Sequence, residues 1–120
     1  IKSRSTAFNR QGGRCFYCDL PMWRGALEPF AQLHGMTLGQ ARQFQCTAEH
    51  LLARQDGGKD GSDNIVAACW ACNQRRHKRK KAPEPDAYKE LVQKRVASGK
   101  WHPGMAKLIA VQVTSKEKLN

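Results

Sequence analysis

Acidic residues, aromatics and long apolar runs are all scarce in this sequence, and each shortage excludes something. No stretch approaches the roughly 18 consecutive apolar residues that a spanning helix needs. With 26% charged residues and a mean hydropathy of −0.68, the chain is not an integral membrane protein. Aromatics reach only 8%, yet three Trp and four Phe in a chain that is 40% apolar exclude wholesale disorder. Its 120 residues suffice for one domain with a modest core and leave no room for a second. The first residue is Ile rather than Met, which leaves room for residues upstream. No internal repeat is visible.

The shortage of acid is uneven. Residues 1–74 carry 8 Lys and Arg against 6 Asp and Glu, whereas residues 75–120 carry 13 against 4. A blocked surplus of this kind, within a net charge of +11, points to a polyanion, most often nucleic acid. An anionic membrane surface is the weaker alternative, because no basic helix carries a strong apolar face. A plain soluble basic surface is the other.

Four of the five cysteines form two pairs, Cys15-Phe-Tyr-Cys18 and Cys69-Trp-Ala-Cys72. In a secreted chain an even set would suggest disulfides. Cys-x-x-Cys pairs, however, turn two thiolates toward one tetrahedral centre, and four thiolates close a structural zinc site with no open position for chemistry. A thioredoxin-like motif would need only one pair and a βαβ setting, which is absent. The 50 residues between the pairs exceed a simple zinc ribbon, so something is inserted between the knuckles. Cys46, in the alternation Phe44, Cys46, Ala48, reads as a small buried hydrophobe.

Residues 1–13 read as a basic, polar lead-in, and the apolar spacing across 25–44 predicts one or two short helices. Residues 30–37 faintly resemble the turn of a helix-turn-helix, although ordinary packing is the better account of so short a stretch. Gln45–Leu51 alternates like a strand, Arg54–Asp63 is a Gly- and Asp-rich loop, and Asn64–Ala68 is a second strand. Trp70–Lys80 is helix-forming and free of Gly and Pro. Lys80–Pro85 reads as a hinge, with Asp86 capping a helix whose Tyr88, Leu91, Val92 and Val96 share a face. Ile109, Val111 and Val113 alternate like a strand.

This order gathers a second constellation. Glu49 and His50 end the first strand, Asn64 opens the second, and Asn73 and His77 project from one face of the helix. A carboxylate, an amide oxygen and an imidazole converging on one point would make a divalent-metal site with open positions. His50, next to Glu49 on a strand, points away from it and is free to act as a base. Taken singly, each has an ordinary reading: a solvated Glu-His pair, a turn-forming Asn, an exposed helical His.

Taken together, the segment EHLLARQDGGKDGSDNIVAACWACNQRRHKRK resembles the HNH endonucleases and their ββα-metal core. In that family an Asp/His-His pair is followed about 14 residues later by Asn, with a metal ligand nine further on. Here the steps are 14 from His50 to Asn64, nine to Asn73 and four to His77. Gly57-Gly58 and the Cys72-Asn73 junction match the subgroup with two zinc knuckles, and the likeness covers Gly12–Cys18 and Cys46–Lys81. Glu49 departs from the pattern, being one methylene longer than the usual Asp.

The resemblance implies an α+β fold: a small single domain over 1–120, with a zinc-stabilised ββα core at about 12–81 and flanking helices. Residues 82–120 are then a basic C-terminal extension of unknown role. It implies an endonuclease that hydrolyses phosphodiester bonds in DNA, expected to be double-stranded, in an intracellular setting without a membrane partner. His50 would be the general base, Asn64 a brace, and Glu49, Asn73 and His77 the ligands of one catalytic ion, Mg²⁺ or Mn²⁺, with Ni²⁺ or Zn²⁺ also admitted. Cys15, Cys18, Cys69 and Cys72 would hold one structural Zn²⁺. Arg75, Arg76, Lys78, Arg79, Lys80 and Lys81 follow the presumed ligands directly and are expected on phosphates. The competing reading is a non-catalytic zinc module that binds nucleic acid, or an adaptor domain of a larger nucleic-acid-processing machine.

Overall fold

The computed structural model describes residues 2–53, 56–59, 61, 63–102 and 105. The expected strand at 109–113 lies outside them. Helix α1 (Lys2–Arg10) is followed by the first Cys pair, then by α2 (Leu27–His34) and α3 (Leu38–Arg42). Strands β1 (Cys46–His50) and β2 (Ile65–Cys69) form an antiparallel pair, and α4 (Trp70–His77) and α5 (Pro85–Ala97) complete the order. The architecture is α+β, with β1, β2 and α4 as its ββα unit. Among the described residues no helix is long and apolar enough to cross a membrane.

All five residues of β2 are buried, which fits its unbroken Ile-Val-Ala-Ala-Cys run. Register sets Glu49 opposite Val66 and His50 opposite Ile65. The outer edge of β2 is closed by a side chain. Gln11 donates to Ala67 O at 2.8 Å and accepts from Ala67 N–H at 2.9 Å, imitating a neighbouring strand. On β1, Trp23 pairs with Gln45 and covers only the start of the strand, so the edge at 48–50 borders a cleft.

The lead-in is therefore a helix. Polar as it is, α1 buries Ala7 and lies against the sheet, so tertiary contact overrides its weak pattern. Helices α2 and α3 flank a turn in which Gly35 takes a left-handed φ of 62° and Thr37 forms a capping box with Gln40. With five residues, α3 is packing rather than a recognition helix. Helix α5 starts on Pro85 with Glu84 at its N-cap, so Asp86 lies in the first turn and is not the cap.

The core does not stop at residue 81. Tyr88 and Val92 of α5, with Trp101 and Met105, join Tyr17, Phe44 and the cysteines in one apolar cluster. Those residues of the expected extension complete the fold. Cys46 is buried in the same cluster, outside the four-sulfur group.

Candidate active site and zinc centre

The Cys15–Cys18 turn and the β2–α4 junction bring four thiols together. The sulfurs of Cys15, Cys18, Cys69 and Cys72 all lie within 4.8 Å of one another, and all four residues are buried. None of the five cysteines is in a disulfide. Cys18 Sγ and Cys69 Sγ are 4.0 Å apart, close to the roughly 3.8 Å spacing of a tetrahedral site with Zn–S bonds of about 2.3 Å.

Donors already face these sulfurs. The backbone N–H groups of Tyr17 and Cys69 donate to Cys15 Sγ, each at 3.3 Å, and Cys72 N–H donates to Cys69 Sγ at 3.4 Å. The Trp101 indole donates to Cys72 Sγ at 3.3 Å. Burial, then crowding against Cys15, pushes the Cys18 and Cys72 thiols well above their ordinary range. A zinc ion would displace those protons and bind four thiolates, so the donor set fits structural zinc. His102, with Nε2 at 3.9 Å from Cys72 Sγ, is held down to about 4 by burial and then by Arg75.

The second constellation lies where α4 crosses β1. Glu49 is 3% exposed and points toward the helix. Its Oε2 accepts from the Tyr17 hydroxyl and from Arg76 Nη1, both at 3.1 Å. Its Oε1 lies 2.9 Å from His77 Nε2. The same nitrogen is 3.2 Å from Oε2, a hydrogen-bonded pair whose spacing also matches two ligands at about 2.1 Å and a right angle, about 3.0 Å apart. Burial, and then Glu49, pushes the Tyr17 phenol above its usual range, which keeps it a donor.

Asn73 comes from the same helix face. Its Nδ2 donates to Thr47 Oγ1 at 3.0 Å, while the Thr47 hydroxyl is itself committed to Ala68 O at 2.6 Å. Thr47 can therefore only accept from Asn73, which sets the amide and leaves Oδ1 on the side away from Thr47. Asn64 closes the loop between the strands. Its Oδ1 accepts from Leu52 N–H at 2.8 Å, and its Nδ2 donates to Leu52 O at 2.9 Å and Lys59 O at 2.8 Å. Gly58 lies so close beneath Leu52 that a Cβ would collide with the Leu52 carbonyl.

Glu49, His50, Asn73, Arg76 and His77 share one cleft of about 950 Å³ with Lys80 and Lys81. Two arginines of the expected phosphate-binding run make contacts within the fold. Arg76 is buried, with Nε on Pro83 O at 3.0 Å and Nη1 on Glu49, because its guanidinium is needed to balance that carboxylate. Arg75 lays its guanidinium over the Trp101 ring at 4.7 Å. Lys78, Arg79, Lys80 and Lys81 are exposed. Tyr17, Trp101 and His102 were not foreseen as site residues. For Tyr17 the only signal is its place inside the first Cys pair.

A ββα unit is thus tied to a four-cysteine cluster whose donor set fits zinc, with a carboxylate–imidazole pair where its helix meets β1. Residues 39–79, about a third of the chain, match the family model described as HNH endonuclease. No curated protein and no solved structure matched. The family is one of nucleases acting on nucleic acid.

Proposed function

We propose that the protein is a metal-dependent HNH endonuclease that hydrolyses phosphodiester bonds in DNA, double-stranded DNA first. The observation that carries this reading is the meeting of Glu49 Oε1 and His77 Nε2 at 2.9 Å, in the cleft that Asn73 and His50 also line. Glu49, Asn73 and His77 would hold one divalent ion, Mg²⁺ or Mn²⁺, with Ni²⁺ or Zn²⁺ admitted by the imidazole. When bound, that ion supplies positive charge against the charge growing on the departing 3′ oxygen.

The remaining work falls to the chain. His50 takes a proton from water as the water oxygen attacks phosphorus, and the P–O3′ bond breaks. The products carry a 5′-phosphate and a 3′-hydroxyl. Asn64 braces the loop that follows His50 and preserves its aim. Lys80 and Lys81, on the rim of the cleft, hold neighbouring phosphates without reading bases. The test is incubation of zinc-loaded protein with supercoiled plasmid under Mg²⁺, Mn²⁺ or chelator. Nicking that requires the added ion supports the reading, and no cleavage with any divalent ion refutes it.

A further inference from the structure

The geometry points to Tyr17 and Arg76 as positioning residues that lock the Glu49 carboxylate, holding Oε2 at the back and presenting Oε1 to the catalytic cation. This rests on Glu49 being a ligand, as proposed above. A glutamate has one more methylene and one more torsion to be fixed than an aspartate. Left free, its carboxylate would sample several rotamers, few of which face His77. Both oxygens are instead assigned. Oε2 takes two donors, Tyr17 Oη and Arg76 Nη1, each at 3.1 Å, and His77 Nε2 stands 2.9 Å from Oε1 and 3.2 Å from Oε2, so Oε1 is the oxygen that neither donor holds.

The two donors are themselves immobilised. Arg76 is anchored through Nε to Pro83 O at 3.0 Å, so its fork cannot swing away from Glu49. Tyr17 is fully buried, and its ring meets Tyr88 edge-on at 4.8 Å. Its carbonyl accepts from Gln93 Nε2 at 3.2 Å, and its N–H is spent on Cys15 Sγ. Tyr17 lies between the two cysteines of the first knuckle. The structural zinc centre is thus one residue removed from a group that aims a catalytic ligand. Partners of this kind orient metal ligands, and losing one typically costs about 10–100-fold in metal affinity or activity.

Tyr17→Phe removes the hydroxyl and keeps the ring packing and the net charge. The experiment titrates Mn²⁺ into zinc-loaded wild type, Tyr17→Phe, Glu49→Gln and the double variant, followed by electron paramagnetic resonance. Plasmid cleavage, zinc content and thermal midpoint are measured on the same samples. The expected result is Mn²⁺ affinity weakened about tenfold or more by Tyr17→Phe, zinc content unchanged, and no further loss when Tyr17→Phe is added to Glu49→Gln. Unchanged Mn²⁺ affinity, or an equal loss in the Glu49→Gln background, overturns the inference. If Tyr17→Phe does not fold, Arg76→Lys takes its place. It keeps the charge but cannot span Pro83 O and Glu49 together, and an affinity equal to wild type overturns the inference. Wild type that binds Mn²⁺ but cuts nothing refutes the nuclease reading, while the same affinities still decide the role of Tyr17.

Discussion

Asn73 and His77 stand one helical turn apart, and their surroundings divide their roles. The Asn73 amide is oriented by Thr47, whereas His77 faces Glu49 directly. If both hold the ion, Asn73→Ala and His77→Ala should each lower Mn²⁺ affinity, and excess Mn²⁺ should partly restore cleavage. Asn73→Asp should be milder, since a carboxylate replaces the lost oxygen. Calorimetric titration checks this, and a normal affinity in His77→Ala would return His77 to the basic surface. At this scale the sequence was readable where position follows spacing, as with Glu49, His50, Asn73 and His77, which one cleft brings together. It was silent on Tyr17 and put Arg76 among the phosphate contacts, because the carboxylate that both bond lies 32 and 27 residues away in sequence. Nothing in a run of Arg and Lys distinguishes the one that turns inward.

Among the elements, β1, β2 and α4 were legible because alternation, a loop of Gly and Asp, and a Gly-free run each announce themselves locally. Helix α1 was not, since its polar sequence becomes helical through contact with the sheet. Cys69 is the junction on which three of these elements depend. It ends β2, caps α4 by accepting from Cys72 N–H, and donates its own N–H to Cys15 Sγ. Cys69→Ser should therefore lose zinc and unfold, not merely lose activity, because in small zinc domains metal-binding energy is folding energy. Circular dichroism with zinc analysis would check it. An intact fold without zinc, persisting in strong chelator, would contradict it.

For the molecule as a whole, the surplus of charge is concentrated after residue 74, and its exposed Lys80 and Lys81 line the cleft. The sequence located that surplus but not its division, in which Arg75 and Arg76 serve Trp101 and Glu49. Neutralising Lys78, Arg79, Lys80 and Lys81 should weaken DNA binding alike for all sequences. It should also flatten the log–log salt dependence by up to about 0.9 per lost phosphate contact, and an unchanged slope would mark these side chains as merely solvated. The sequence did not reveal that Tyr88, Val92 and Trp101 share one apolar cluster with residues far upstream, since no local pattern announces such contacts. Whether His50 activates water beside a bound cation is decided by comparing wild type and His50→Ala on plasmid DNA with Mg²⁺ or Mn²⁺, with DNA and Mn²⁺ affinity measured in parallel. The account predicts retained affinities and a loss of cleavage of about 10²–10⁴-fold. His50→Ala cutting as fast as wild type would contradict it.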